Sequence, residues 1–95
     1  MWNVRINKKI LKKYNKLSGS IQERFKALTI ELRAVGPVQT RWLNYSKISG
    51  KKDCYHCHLK KGKPTYVAVW KVTDKKTIEV IYVGSHEKAN YQKLC

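Results

Sequence analysis

The residues with the most chemical potential lie in one run, Asp53-Cys54-Tyr55-His56-Cys57-His58-Leu59. The run alternates. Tyr55, Cys57 and Leu59 fall on one side of a strand, and Cys54, His56 and His58 on the other. At about 3.3 Å of rise per residue, His56 and His58 stand roughly 6.6 Å apart on a shared face. Two imidazoles at that separation can flank one phosphodiester. One takes the proton of an attacking hydroxyl and the other protonates the leaving oxygen, roles that suit a group titrating near about pH 6.5. Charge developing on the phosphate oxygens calls for cations. Lys51 and Lys52 precede the strand, Lys60, Lys61 and Lys63 follow it, and Lys71 and Lys88 extend the set. The strand therefore reads as the floor of a site for RNA, whose own 2′-hydroxyl supplies the nucleophile without a metal.

Blander and rival readings share these residues. His56 and His58 can be solvated strand histidines. Cys54, His56, His58 and His86 are ligand types, but their spacing lacks the paired pattern of a zinc site, so no metal or other cofactor is expected. Cys54-Tyr55-His56-Cys57-His58 matches the string that attaches c-type haem. A strand would turn Cys54 and Cys57 to opposite faces, which argues against it. They also lie roughly 10 Å apart along that strand, too far for a disulfide. With an odd number of cysteines (3) no disulfide framework is expected, and Cys95 reads as a loose terminal thiol.

The balance of 21 Lys+Arg against 6 Asp+Glu, a net charge of +15, implies a polyanionic partner. The 42% hydrophobic content excludes a disordered chain. No apolar run is long enough to span a membrane. The N-terminus lacks the apolar segment of a secretory signal, so the expected compartment is the cytoplasm.

The elements that must position the histidines are legible in order. Trp2, Val4 and Ile6 alternate as a first strand. Ile10, Leu11, Tyr14 and Leu17 recur at helical spacing among lysines, with Asn7 as N-cap. Ser18-Gly19 ends that helix, and Ser20…Glu23 has capping-box spacing for a second one. Its core stripe is Ile21, Phe25, Leu28, Leu32 and Val35, stopped by Gly36-Pro37. Trp42 anchors an irregular connection. Trp2, Trp42 and Trp70 read as packing residues rather than base-stacking platforms. Strands follow at Tyr45–Ser49, Asp53–Lys61, Thr65–Thr73 and Thr77–Val83, with turn lengths that favour an antiparallel meander. The sum is an α+β fold: an N-terminal strand, a two-helix hairpin, then a twisted antiparallel sheet, as one domain over residues 1–95. The polar segment Gly84-Ser85-His86-Glu87-Lys88-Ala89-Asn90-Tyr91 leaves the last strand and can fold back beside His56 and His58.

This order of pieces resembles the RelE/ParE superfamily of bacterial toxins, in particular its RelE/HigB-like members. The likeness spans almost the whole chain. It rests on the first strand, the basic helical hairpin, Trp42-Leu43, Ile48-Ser49-Gly50, the Asp53–Leu59 run, Tyr66-Val67-Ala68-Val69-Trp70-Lys71-Val72 and Val83–Tyr91. It implies a sheet similar to that of microbial ribonucleases. It implies the toxin of a type II toxin–antitoxin system, an endoribonuclease that cuts mRNA on the ribosome and is held by a cognate antitoxin. His56 and His58 look like the family's two basic strand positions, His86 like a later basic residue, and Tyr91 like the tyrosine near the C-terminus. The chain departs from the pattern at Val67, where the family carries an arginine, so either a lysine such as Lys60 or Lys71 substitutes or the mechanism shifts toward imidazoles. The resemblance also admits a ParE-like, non-catalytic inhibitor of a protein such as DNA gyrase. Charge alone admits a basic RNA-binding domain. The free chain is expected to be a monomer.

Overall fold

Asn7 is the single residue between the first strand and the first helix. The computed structural model describes residues 1–95. Strand β1 (Asn3–Ile6) leads into helix α1 (Lys8–Asn15), and the Asn7 side-chain oxygen accepts the Ile10 N–H at 2.8 Å. Helix α2 (Gly19–Val35) follows almost at once. Its N-cap is Ser18, with no side-chain capping bond, so the box expected at Ser20 and Glu23 is not formed. Ser18 and Ser20 instead place their hydroxyls 3.3 Å apart.

The helical stripes are narrower than their spacing suggests. Ile10, Ile21, Phe25, Leu28 and Leu32 are buried, whereas Leu11 and Val35 are exposed. Helix α1 is one short, strongly basic rod that meets the body through Ile10, Tyr14 and Leu17. Val35 is the last residue of its helix, where the chain turns away. That turn needs Gly36. Its φ is 104°, and a Cβ there would come 2.7 Å from the Trp2 indole nitrogen.

Strands β2 (Ser46–Lys47), β3 (Cys54–Lys60), β4 (Tyr66–Asp74) and β5 (Thr77–Ser85) form the antiparallel meander that the turn lengths favour. The sheet as a whole is mixed. Its order is β1-β5-β4-β3-β2, and β1 lies parallel to β5. The helical hairpin carries the chain across the sheet, so β1 and β2 end on opposite edges. After β5 come a 3₁₀ turn (His86–Lys88) and a last helix, α3 (Tyr91–Leu94). No helix is long and apolar enough to cross a membrane.

The sheet separates two apolar clusters. The larger joins the helices to Tyr55, Cys57, Leu59, Ala68, Trp70, Ile78, Val80 and Val83. Leu28 and Leu32 are fully enclosed there, and burying each such side chain contributes about 1.5–3 kcal/mol. The smaller lies on the opposite face: Ile48, Cys54, Val67, Val69 and Tyr82, with Tyr91, Leu94 and Cys95 packed on it. A register shift between β4 and β5 at Val69/Trp70 lets Val80 join the first cluster and Tyr82 the second.

Candidate active site

The second face carries the histidines. Strand β3 alternates as its sequence requires: Tyr55, Cys57 and Leu59 enter the main core, while Cys54, His56 and His58 point the other way. Each histidine is fixed by its neighbours. His56 pairs with Ser46 on β2, and its Nδ1 lies 3.2 Å from the Ser46 hydroxyl and 3.3 Å from the Ser46 carbonyl oxygen. With the proton on Nδ1, both Ser46 oxygens can accept from it and Nε2 is left as a free base. The backbone N–H of His58 donates to the Leu43 carbonyl at 2.7 Å, which holds the outer edge of the strand. Val67 and Val69 lie directly across from His58 and His56 and are fully buried in the second cluster.

The C-terminal segment completes the cluster. The N–H of His86 donates to the Thr65 carbonyl at 2.7 Å, pinning His86 beside the start of β4. The His86 ring is then 5.5 Å from His58, and His58 is 6.0 Å from His56. Helix α3 lays the Tyr91 ring 4.9 Å from His56 and 6.3 Å from His86. His58 Nδ1 and the Tyr91 hydroxyl are buried and have no hydrogen-bond partner. Such groups are costly to leave unpaired, and both belong to this cluster.

Burial lowers the His56 pKa, with His86 adding repulsion and the Ser46 carbonyl opposing it. Burial also lowers His58, reinforced by His56, His86 and Lys61. Tyr91 is pushed up, mainly by burial. Both strand imidazoles are thus biased toward the neutral, proton-accepting form.

The lysines divide into four sets. Lys60, Lys61 and Lys63 sit at the His58 end of β3, exposed around its turn into β4. Lys51 and Lys52 lie in the turn before Cys54, at the other end of β3 from Lys60. Lys71 pairs across from Cys54, on the histidine face but nearer His56 than His58. Lys88 is in the 3₁₀ turn and lines a cavity of about 450 Å³ with Lys13, Lys16, Tyr66 and Tyr82. A larger cavity of about 620 Å³ lies far from the histidines, between α2 and the 38–42 connection. The histidine cluster itself lines neither cavity.

Three features escaped the sequence reading. Ser46 belongs to a strand of two residues, too short to show a period. Lys13 places its ammonium 4.8 Å from the centre of the Tyr82 ring, a contact between segments far apart in the chain. Cys95 is not a loose thiol: it forms a disulfide with Cys54, with Cα atoms 6.3 Å apart across 41 residues. Cys57 is the free cysteine, buried in the main core, where its thiol is pushed up to about 12. No cluster of His, Cys, Asp and Glu side chains has the geometry to hold a metal ion.

No protein-family model and no curated protein matches the chain. Solved structures do. A double mutant of the Escherichia coli toxin RelE in the free state is 26% identical, covers 93% of this chain and 86% of its own, and superposes with a TM-score of 0.72. The E. coli RelBE toxin–antitoxin complex matches with 27% identity, over 93% of this chain and 100% of the matched chain, at a TM-score of 0.69. A copper-bound mutant toxin from Helicobacter pylori shares the fold, with 22% identity over 95% of this chain and 100% of its own and a TM-score of 0.67. With the sheet order, the basic helical hairpin and the C-terminal return in place, this chain belongs to the RelE-like toxin superfamily.

Proposed function

We propose that this chain is the toxin of a type II toxin–antitoxin pair and acts as a ribosome-dependent endoribonuclease on mRNA. The observation that carries the reading is the convergence of His56, His58, His86 and Tyr91 on one lysine-rimmed face. None of the three imidazoles belongs to either apolar cluster.

The chemistry follows from the geometry. His56, with its Nδ1 proton turned to Ser46, offers Nε2 to the 2′-hydroxyl as general base. The hydroxyl attacks the adjacent phosphorus, and the bond to the 5′-oxygen breaks. His86 is solvent-exposed on the opposite side of the cluster and protonates that oxygen. His58 lies between them and donates to or orients a phosphate oxygen. Lys60 and Lys61, next along the strand, stabilise the extra negative charge of the phosphorane. They take the part that an arginine at Val67 would have played. Tyr91 caps His56 and supplies an unpaired hydroxyl to the substrate. No metal is needed for any step.

The net charge of +15 suits a ribosomal RNA surface and, in the inhibited state, an acidic segment of a cognate antitoxin. One of the similar solved structures is itself a toxin–antitoxin complex. Primer extension on mRNA in a translating extract tests the activity. New cuts with the wild-type chain, absent with His56→Ala/His58→Ala, are expected. Growth arrest that survives this double substitution, with no mRNA cuts, would instead place the activity at a protein target.

A further inference from the structure

Residues 87–95 make no hydrogen bond to any residue before His86. The backbone bonds of Ala89, Lys93, Leu94 and Cys95 all go to His86, Asn90 or Tyr91, and the Asn90 side chain bonds only Lys93. What holds this segment on the sheet is partial packing of Ala89, Tyr91, Leu94 and Cys95 on the second cluster, and one covalent bond, Cys54–Cys95. Cys54 stands two residues before His56 on the same face of β3, and Cys95 directly follows the helix that carries Tyr91. The bond therefore closes a short bracket around the contact between the Tyr91 and His56 rings.

We infer that the Cys54–Cys95 disulfide is a positioning element for the site proposed above. It holds Tyr91 against His56, and its reduction by a low-molecular-weight thiol of the glutathione class releases Tyr91 and weakens the site. The inference rests on the proposed ribonuclease reading only for its effect on cleavage. The exchange is balanced. A thiolate attacks Sγ of half-buried Cys95, since Cys54 is 1% exposed. The S–S bond breaks, Cys54 leaves as thiolate, and a mixed disulfide forms on Cys95. A second thiolate attacks the external sulfur of that mixed disulfide. It releases the Cys95 thiolate and one small-molecule disulfide, so the protein gains two electrons and its thiolates take up protons from solvent. Lys71, directly across from Cys54, places a cation on the face where the leaving thiolate forms. In a reducing compartment a disulfide is typically transient and redox-sensing rather than architectural.

NMR on the intact chain tests this without reference to RNA. In the oxidised protein a Tyr91–His56 ring contact should be present. With dithiothreitol, or in Cys95→Ser, the contact should vanish and the His56 pKa should rise toward the ordinary value as the ring loses its cover. Amide signals of residues 1–85 remaining dispersed show that the body stays folded, and Cys95→Ser, which removes only a terminal thiol, covers the case where reduction disturbs more. An unchanged ring contact and His56 pKa would overturn the inference. In the cleavage assay, reduction should lower kcat about tenfold to a hundredfold at nearly unchanged KM, and should have no further effect in Tyr91→Ala. Full kcat in the reduced chain would overturn the positioning role. If the oxidised chain never cuts mRNA, the ribonuclease reading falls, and the ring contact still decides whether the disulfide governs Tyr91.

Discussion

The Tyr91 ring packs 4.9 Å from the His56 ring at an interplanar angle of 48°, while its buried hydroxyl has no partner. Packing and hydrogen bonding are thus separable at this residue. Tyr91→Phe keeps the ring and removes an unsatisfied oxygen, so its thermal midpoint should equal or exceed wild type. Cleavage should nevertheless fall if the hydroxyl meets the substrate. A parallel melt and primer-extension assay on the same protein checks both halves.

Removing a general base or acid is expected to cost far more. His56→Ala and His86→Ala should each reduce cleavage by about 10²–10⁴-fold. His86 is exposed, so its substitution should leave the urea midpoint within about 0.5 kcal/mol of wild type. A loss of activity that tracks a loss of fold would remove His86 from the mechanism.

The depressed pKa values of His56 and His58 carry a definite sign. As pH falls below about 6.5 the unfolded chain takes up protons that these buried imidazoles resist in the folded one. Stability therefore declines from about pH 6.5 down to the folded-state values and levels off below them. Urea midpoints between about pH 7.5 and 5 should show this slope, and His56→Gln/His58→Gln should flatten it. The base also stays unprotonated below about pH 6.5, so cleavage should persist there.

Val67 lies across from His58 and is fully buried in the second cluster. Restoring the family's arginine there would force a guanidinium into an apolar floor with no acidic partner in the second cluster. Val67→Arg should destabilise the chain by about 3 kcal/mol or more, and should not raise cleavage. Chemical denaturation gives the first number. A stable, faster variant would show that the floor can open to admit the charge.

The split of the lysines predicts unequal effects. Replacing Lys60, Lys61 and Lys63 with alanine should slow cleavage and flatten the salt dependence of ribosome binding, by about 0.7–0.9 in the log–log slope per lost phosphate contact. Lys51→Ala/Lys52→Ala, at the far end of β3, should flatten that slope with little change in the rate of the chemical step. Binding and cleavage measured over a salt series separate the two sets.

The alternation Cys54–Leu59 was enough to assign the faces of β3. Side-chain direction in a strand is set locally, and one face needed a core. The helical spacing and the Gly36-Pro37 stop likewise placed both helices to within a few residues. Burial was less local. Leu11 and Val35 match the helical stripe yet lie exposed, because only the neighbouring elements decide how wide a stripe is covered. The parallel pairing of β1 with β5 has no signature in either strand, since register and order depend on where the helices deliver the chain. The same holds at the site. The sequence placed His56 and His58 on one face, with a polar segment able to return to them. The fold decided that His86 is tied to Thr65, that Ser46 lies against His56 Nδ1, and that Tyr91 lies on His56. The disulfide is the clearest case. Strand rise excludes a bond between Cys54 and Cys57, but says nothing about a cysteine 41 residues away, which only the return of the C-terminus brings within reach.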